Sequence, residues 1–457
     1  MKILILGAGQ VGKSVAASLV NEDNDVTIID TNAEALRALR EKLDVRVEVG
    51  QASYPRVLER AGIEDADMLI AITNSDEINM VACQIAHTLY HTPTKIARVR
   101  SSHYLEHPEL FAPQAVPIDY LISPEQLVTD YIFRLISHPG ALQVLNFANG
   151  RVQMVAVKAL QEGALVGHKL SALREHMPSI PARVVAIFRQ GKALIPSNDT
   201  IVEVGDEMFI MASPKHIRAL ISELRKLDKP YKRIMIAGGG NIGNRLARLL
   251  EDARYQLKII EKDSKRAAKL AERLDKAIVL EGDAADEQLL IEENIENTDV
   301  FIALTNDDEA NILSSMLAKR LGARRVMSLI NRPSYIDLVE SSIDLAISPQ
   351  QITIGDLLAH IRRGDVVAVH SLRRGAAEAL EIVVHGDNKT SRVVGRTLAD
   401  IKLPPGTTLG AIVRGEETIP LNDATLIQAN DHVIVFVTDK RYVPAVEKLF
   451  QVGIHYF

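Results

Sequence analysis

The chain of 457 residues is poor in the features that would place it outside the cell or inside a bilayer. A single cysteine, Cys83, rules out an internal disulfide framework and indicates a reducing compartment. No stretch approaches the roughly 18 consecutive apolar residues that a membrane-spanning helix requires. Residues 1–6 run directly into a glycine cluster, so we expect a buried strand there rather than a secretory signal peptide. We therefore predict a cytoplasmic protein without direct membrane insertion.

The chain also has little net charge. Lysine and arginine number 53 against 59 acidic residues, which gives a formal net charge of only -6 at pH 7. The summed electric field therefore favours neither nucleic acid nor an anionic membrane surface as a partner. We expect any membrane association to go through another protein.

What the chain does contain is a long internal repeat, the sign of a duplicated architecture. The segment ILILGAGQVG at 3–12 returns as IMIAGGGNIG at 234–243. Two further blocks return in the same order, 71–77 as 303–309 and 122–126 as 347–351. A second kind of segment, rich in β-branched residues and turn residues, follows each copy. The order is therefore A-B-A-B, with four domains instead of the roughly three that length alone suggests.

The two kinds of segment predict two kinds of fold. In the A units, short apolar runs alternate with helical patterns, which predicts a Rossmann-like, doubly wound parallel sheet. The B units read as small α+β modules that end in an amphipathic helix. Between them we predict connector helices, capped by Ser123 and by Ser348. The predicted boundaries are 1–123 (first A unit), 124–142 (first connector), 143–227 (first B unit), 232–348 (second A unit), 349–365 (second connector) and 366–453 (second B unit).

Each A unit carries a G-x-G-x-x-G loop between a strand and a helix. The first glycine permits the tight turn, the second lets the backbone approach a pyrophosphate, and the third lets the helix pack on the strand. The helix N-terminus adds N–H groups and a partial positive charge. The alternative is that the loops are relics without a ligand. The predicted loop residues are Gly7, Ala8, Gly9, Gln10, Val11 and Gly12 in the first unit and Gly238, Gly239, Gly240, Asn241, Ile242 and Gly243 in the second.

An acidic residue follows each loop at about 20 residues, the spacing of the ribose-binding acid in dinucleotide-binding folds. These residues are Asp30 and Glu261. A carboxylate at this position accepts hydrogen bonds from ribose hydroxyls and repels a 2′-phosphate. The acids therefore predict NAD or adenosine nucleotides over NADP.

Polar pairs follow an apolar strand in both units. They are Thr73 and Asn74 in the first unit, and Thr305 and Asn306 in the second. Because ligands of open α/β sheets bind at the carboxyl ends of the strands, these side chains can contact ribose or phosphate. They can equally serve as caps of the next helix.

Two arginines of the first unit alternate with apolar residues. A strand would place Arg98 and Arg100 on one face, where paired guanidinium groups suit a phosphate tail. A solvated sheet edge is the alternative. The second unit has Leu329 and Asn331 at these positions, which predicts that the two sites differ in ligand or occupancy.

No catalytic constellation stands out. The 13 histidines are scattered, with no HExxH motif and no glycine-serine elbow. Cys83 lies in an apolar helical pattern, so we expect a packed side chain and not a nucleophile. The acidic run 307–309 reads as a solvated helix start. We predict no catalytic residue and no metal site, and an NAD-dependent oxidoreductase built from two dinucleotide domains remains the alternative.

The tandem loops, their acids, the connector helices and the small B units together resemble the TrkA family of bacterial Trk-system regulators over nearly the whole chain. The resemblance implies tandem RCK (also called KTN) domains that bind NAD or NADH and ATP or ADP. By residue match, the loops, the acids, the polar pairs and Arg98 would line the two sites. We expect Gly239 in place of Ala8 to be sterically mild.

The same resemblance implies an assembly and a partner. Members of this family form a homo-oligomeric ring, a tetramer, that docks under a TrkH-type potassium transporter on the cytoplasmic side of the inner membrane. A free-standing nucleotide sensor for another partner remains the alternative to this regulatory role.

Overall fold

The computed structural model describes residues 1–20, 24–112, 114–226, 229–339, 341–361, 366–372 and 376–452. Two parallel and two antiparallel sheets alternate along the chain, which confirms the predicted A-B-A-B order. Contacts divide the chain into two compact units, one of Met1–Leu127 with Ile352–Ile361, and one of Val128–Gln351 with the described residues from 366 onward. Among the residues described, no helix is long and apolar enough to cross a membrane.

The first domain is the doubly wound parallel sheet that the sequence predicts. Its six strands lie in the order β3-β2-β1-β4-β5-β6, so the chain reverses its direction of growth between β1 and β4, where such sheets bind ligands. The strands are β1 (Lys2–Leu6), β2 (Asp25–Asp30), β3 (Arg46–Val49), β4 (Met68–Ala71), β5 (Thr94–Arg98) and β6 (Tyr120–Ile122), and the helices are α1 (Gln10–Val20), α2 (Ala33–Arg40), α3 (Pro55–Ala61), α4 (Asp76–Tyr90) and α5 (Ser102–Leu105).

Burial explains why these apolar runs form the central strands. Ile3–Leu6 and all of β4 are buried, as expected of parallel strands covered by helices on both faces. On α4, Cys83 is fully buried, and that burial raises the pKa of its thiol to about 12. Cys83 is therefore a packed core residue, as predicted. It is also a poor nucleophile, because its thiol stays protonated.

The first connector is helix α6 (Pro124–Ser137), which ends before the His138-Pro139-Gly140 turn. The Ser123 hydroxyl is buried without a hydrogen-bond partner among the described residues, so its predicted capping role is wrong. The first B unit follows as a five-stranded antiparallel sheet of order β10-β9-β11-β8-β7. Its elements are β7 (Ala141–Phe147), β8 (Val152–Lys158), α7 (Ser171–His176), β9 (Arg183–Arg189), β10 (Lys192–Leu194), β11 (Glu207–Ala212) and α8 (Pro214–Leu224).

The second parallel sheet repeats the first strand for strand. Its order is β14-β13-β12-β15-β16-β17, with the same reversal beside its first strand, β12. The elements are β12 (Arg233–Ala237), α9 (Asn241–Asp252), β13 (Gln256–Glu261), α10 (Ser264–Arg273), β14 (Ile278–Glu281), α11 (Glu287–Glu292), β15 (Val300–Ala303), α12 (Asp308–Arg320), β16 (Arg325–Leu329), α13 (Pro333–Val339) and β17 (Leu345–Ile347).

The second connector, helix α14 (Pro349–Ile361), packs where the sequence does not predict it. Ser348 Oγ accepts a hydrogen bond from the Gln351 N–H at 3.4 Å, the predicted cap. Residues 352–361, however, belong to the unit of the first parallel sheet. The Tyr120 hydroxyl of β6 donates to Asp356 Oδ2 at 2.8 Å, and its ring stacks on His360. Residues 362–365, the predicted end of this connector, lie outside the described residues.

The second B unit repeats the antiparallel sheet of the first, in the order β18-β19-β22-β20-β21. Its predicted last residue, 453, lies outside the described residues. The elements are β18 (Val366–Leu372), β19 (Ala377–Val383), β20 (Thr407–Arg414), β21 (Glu417–Ile419), β22 (His432–Val437) and α15 (Val443–Phe450). Short 3-10 helices lie at Ile63–Asp65, Pro108–Phe111, Ile295–Asn297, Leu398–Asp400 and Lys440–Tyr442.

The two B units share one apolar core. The rings of Phe209 and Phe436 lie 5.6 Å apart, centroid to centroid, within a single cluster of buried side chains from both sheets. Gly410 faces Met211 so closely that a Cβ on Gly410 would lie well under 3.0 Å from its sulfur. The B units are therefore packed together as a pair.

Candidate nucleotide sites

The backbone of each loop requires its first and third glycines. Gly7 has φ +108° and Gly238 has φ +101°, in the left-handed region that favours glycine. A Cβ on Gly12 would lie well under 3.0 Å from the carbonyl oxygen of Gly7, and Gly243 meets Gly238 in the same way. Any side chain there would push the helix off the strand.

The second glycine of each loop faces open space. A Cβ on Gly9 or on Gly240 would have no heavy atom within 4 Å. Helices α1 and α9 begin at the following residues, Gln10 and Asn241, so the N–H groups of a first helical turn lie beside this space. An anionic group placed there would meet N–H donors and the positive end of a helix dipole.

In the first domain, the acid at the end of β2 also holds the loop. Asp30 Oδ2 accepts a hydrogen bond from the Ala8 N–H at 2.6 Å, and Oδ1 accepts one from the Asn32 N–H at 2.8 Å. The carboxylate is half-buried, so one side remains accessible. The predicted ribose-binding acid therefore lies directly against the glycine loop.

Glu261 is placed in the same way but has an additional neighbour. Its Oε2 accepts from the Gly239 N–H at 2.8 Å, and its Oε1 accepts from the Asp263 N–H at 2.9 Å. Arg266 Nη1 donates to both carboxylate oxygens at 3.2–3.3 Å. Because this guanidinium offsets the charge of Glu261, the predicted repulsion of a 2′-phosphate is weaker at the second site. Sequence reasoning missed Arg266, which lies in the first turn of α10, five residues after the acid.

The second loop has Gly239 where the first has Ala8, and the Leu270 side chain lies close to it. A Cβ on Gly239 would lie well under 3.0 Å from Leu270 Cδ1 and 3.2 Å from Glu261 Oε2. The nearer of these atoms is the end of the Leu270 side chain, and the first domain has a leucine, Leu39, at the matching position beside Ala8. A leucine here therefore accepts either residue at the loop, and the sterically mild replacement stays a prediction.

The polar pairs lie beside the glycine loops. They do not cap the following helices themselves, but their threonines bind the residues that do. Thr73 Oγ1 donates to Asn79 Oδ1 at 2.7 Å and accepts from the Ser75 N–H at 3.3 Å. Ser75 is the residue that caps α4, since its hydroxyl accepts from the Ile78 N–H. A Cβ on Gly7 would lie 3.2 Å from Thr73 Cα, so the two loops touch.

The second domain repeats this arrangement. Thr305 Oγ1 donates to Asn311 Oδ1 at 2.6 Å and accepts from the Asp307 N–H at 3.2 Å, and Asp307 caps α12. The side chains next in sequence, Asn74 and Asn306, are exposed at the same sheet edge. The threonines therefore fix the loops, while the asparagines are free to face a ligand.

Arg98 ends β5 and is largely buried. Its Nη2 lies 3.8 Å from Glu125 Oε1, in the first turn of α6, and its side chain is only 22% exposed. Burial lowers the pKa of Arg98, and the Glu125 carboxylate opposes that change. Its Nε is buried without a hydrogen-bond partner among the described residues. Arg98 therefore does not lie on a solvated sheet edge.

Arg100 does not share a strand face with Arg98, because β5 ends at Arg98. The Arg100 guanidinium donates to the Asn74 carbonyl oxygen, and its Nε lies 3.6 Å from Asp76 Oδ1. Asp76 is buried and accepts the backbone N–H groups of Arg100 and Ser101. The prediction of a strand pair was wrong, since the chain turns at the sheet edge after residue 98.

The second domain also has a guanidinium in this region. The sequence comparison places Asn331 opposite Arg100, but the guanidinium belongs to the next residue, Arg332. Asp308 accepts the N–H groups of Asn331 and Arg332, and Arg332 Nη1 lies 2.8 Å from Glu309 Oε1. The Arg332 guanidinium also covers the ring of Tyr335 at 5.2 Å. Leu329, at the position of Arg98, supplies only its carbonyl oxygen, to Asn311.

The acidic run 307–309 is the start of α12, as predicted, with Asp307 as its cap and with Asp307 and Glu309 exposed; only Asp308 departs from the prediction of a solvated run. Asp308 is buried, and Glu309 pairs with Arg332. Across the described ranges, no group of three or more acidic, histidine or cysteine side chains could hold a metal ion.

Comparison with known proteins matches this architecture. The TrkA-N domain matches residues 3–124 and 234–349, and the TrkA-C domain matches residues 154–225 and 387–451. The Trk system potassium uptake protein TrkA of Halomonas elongata is 59% identical over 100% of both chains. Its counterpart from Vibrio alginolyticus is 60% identical over 99% of both chains.

Solved structures share the fold at lower identity. The RCK domain of GsuK superposes with a TM-score of 0.62 at 19% identity, covering 98% of this chain and 94% of that one. The GsuK channel bound to NAD gives a TM-score of 0.61 at 18% identity, covering 98% of this chain and 78% of that one. With its two TrkA-N and two TrkA-C domains, the chain belongs to the TrkA family of Trk system potassium uptake proteins.

Proposed function

We propose that this protein is a nucleotide-binding regulatory subunit, and not an enzyme, that controls potassium uptake through a TrkH-type membrane transporter. The main support is that each Rossmann-like domain has an open glycine loop held by an acid, in a chain whose relatives are potassium uptake proteins. An acid placed this way can accept ribose hydroxyls while the loop accepts phosphates. The protein acts on the cytoplasmic side of the inner membrane, as a homotetrameric ring docked on the transporter.

The two sites take different ligands within one chemical class, NAD or NADH and ATP or ADP. In the first site, Asp30 binds ribose, the loop binds the first phosphates, and Arg98 with Arg100 and Asn74 neutralises the rest of the phosphate tail. In the second site, Arg266 lies at the ribose end. There, Asn306 and Arg332 take the places of Asn74 and Arg100, and nothing replaces the buried Arg98.

Ligand binding at the first site is coupled to the first connector helix. Glu125 lies in the first turn of α6, within 3.8 Å of Arg98. A phosphate that binds Arg98 competes with Glu125 and therefore changes the position that α6 prefers. A nucleotide regulates transport only through such a difference in affinity between two conformations, since equally tight binding to both would shift nothing.

The test is rubidium uptake, as a substitute for potassium, in cells that lack this protein and all other potassium uptake systems. Wild type should restore uptake, and Gly9→Asp should not, because an aspartate would occupy the space where the pyrophosphate approaches the loop. Gln161→Asp adds the same charge at an exposed position of the first B unit and should behave as wild type. Equal uptake with and without the wild-type protein would contradict the proposal and call for a screen of NADH turnover.

A further inference from the structure

A second concave surface lies at the opposite end of the second parallel sheet from its glycine loop. The cleft has a volume of about 470 Å³ and is lined by residues at the amino ends of the strands. Arg233 and Gln256 are the first residues of β12 and β13, and Asp299 and Arg324 directly precede β15 and β16. The loop follows the carboxyl end of β12, which spans five residues, or roughly 16 Å. The cleft is therefore separate from the nucleotide site.

The charges that line this cleft are strongly unbalanced. The cationic side chains are Lys229, Lys232, Arg233 and Arg324, and among the described lining residues the single carboxylate is that of Asp299. Asp299 Oδ2 already accepts the backbone N–H groups of Lys232 and Arg233, at 2.8 and 2.9 Å. A chain with a net charge of -6 thus concentrates positive charge on one concave surface, where an anion would offset the mutual repulsion of the cations.

One of these cations is held in place by its surroundings. The Arg324 guanidinium covers the ring of Tyr231 at 5.3 Å and lies 3.7 Å from Asp299 Oδ1. Tyr231 is itself buried, and its hydroxyl accepts from Arg325 Nη1 at 3.2 Å. A guanidinium positioned in this way loses little conformational entropy when an anion binds.

The first parallel sheet provides an internal comparison, because it has the same strand pairing with fewer cations. Its first strands begin with Lys2 and Asp25, paired with each other as Arg233 is paired with Gln256. Pro93 precedes β5 where Arg324 precedes β16. Lys2 is paired with Asp65 at 3.2 Å. The fold itself therefore does not require a cation at the position of Arg324.

We propose that this cleft binds a small soluble anion with two or more phosphate groups, at a site distinct from both nucleotide sites and independent of the function proposed above. Lysines offer point charges to phosphate oxygens, and arginines bind them in a bidentate manner. The cleft adjoins the first B unit, because Arg325 also donates to the carbonyl oxygen of Ala141 in β7. An anion bound here stabilises the junction between the second parallel sheet and that B unit.

Calorimetric titration of the full-length protein with inorganic pyrophosphate, at about 50 mM salt to limit screening, tests the proposal. Arg233→Gln with Arg324→Gln should remove one pyrophosphate site or weaken it at least about tenfold. Lys2→Gln, at the position matching Arg233, should leave all sites intact. Gly9→Asp with Gly240→Asp, which obstructs both glycine loops, should leave the cleft site in place.

Unfolding midpoints identify variants whose fold has changed. If the double variant Arg233→Gln with Arg324→Gln does not fold, Lys232→Gln alone is titrated in its place. Identical titrations for wild type and the cleft variants would overturn the proposal, as would loss of all pyrophosphate binding in the loop variant. A lipid headgroup offers the same phosphate chemistry. Binding to vesicles of anionic phospholipid that depends on Arg233 and Arg324, without binding of pyrophosphate, would also overturn the assignment to a soluble anion.

Discussion

Glu261 Oε2 accepts a hydrogen bond from the backbone N–H of Gly239 at 2.8 Å, so the acid that ends β13 also shapes the loop that follows the neighbouring strand β12. Asp30 makes the corresponding bond to Ala8 at 2.6 Å. In each domain one carboxylate therefore fixes the loop, and in the proposed function the same carboxylate also binds the ribose. This double role makes the acids sensitive positions.

The first prediction concerns the charge of that acid. Glu261→Gln keeps an oxygen acceptor but loses the charge, and hydrogen bonds to charged groups contribute about 1.5–3 kcal/mol against about 1 kcal/mol for neutral ones. We expect the dissociation constant of the nucleotide bound at the second site to rise roughly tenfold, as measured by calorimetry. Glu292→Gln, exposed on α11, is the control and should leave affinity unchanged. Equal affinity of wild type and Glu261→Gln would contradict the proposed ribose contact.

The second prediction separates two glycines of one loop. Gly12→Ala places a Cβ against the Gly7 carbonyl oxygen, which is backbone and cannot rotate away. We expect a loss of about 1–3 kcal/mol in the free energy of unfolding, measured by chemical denaturation. Gly9→Ala, whose Cβ meets nothing within 4 Å, should change it by less than about 0.5 kcal/mol. Similar losses in both variants would refute the packing argument.

The third prediction concerns Arg98. Arg98→Leu introduces the residue of the second domain and removes a charged donor from the first site, which should weaken nucleotide binding there roughly tenfold or more. Arg98→Lys keeps the charge without the bidentate geometry and should fall between wild type and Arg98→Leu. Arg56→Leu, exposed on α3, is the control. Unaltered affinity in Arg98→Leu would remove Arg98 from the proposed site.

The fourth prediction concerns the pair of B units. Gly410→Ala places a methyl group against Met211 and 3.1 Å from Val185 Cγ1, in a core with no free volume at that point. We expect about 1–3 kcal/mol lower stability of this core by denaturation. Met211→Ala in the same background should recover part of the loss. If the double variant is less stable by the sum of both single effects, the proposed clash is absent.

The fifth prediction is a pH dependence at the same pair. His370 Nε2 lies 3.3 Å from the Asn146 carbonyl oxygen, and its ring meets the Phe147 ring edge-on at 5.0 Å. Burial lowers the pKa of His370 from 6.5 to about 4, so the folded state favours the neutral ring. This contribution to stability is present above about pH 6.5 and is lost as the pH falls towards 4.

His370→Gln should therefore make the free energy of unfolding less dependent on pH between 7 and 4, as measured by denaturation at several pH values. His168→Gln replaces an exposed histidine of the first B unit and should leave the slope as in wild type. Parallel stability profiles for His370→Gln and wild type would contradict the preference of the folded state for the neutral ring.

Local features of the chain account for what could be predicted. The glycine spacing, the following acid and the alternation of apolar runs predict the parallel sheets, because turn geometry and helix packing depend on residues close in sequence. The wrong expectations concern contacts with distant residues. Ser123, for example, is buried without a hydrogen-bond partner among the described residues because of packing.

The sequence by itself determined the duplication, the fold of all four domains and the positions of both loops and their acids, since each of these is written in short-range patterns. Only the tertiary structure decided which side chains meet across the chain. It placed Arg332 and Arg266 beside the second site, residues 352–361 with the first parallel sheet, and four cations in one cleft. Such meetings depend on the sum of many packing contacts between residues far apart in sequence, and no short motif encodes that sum.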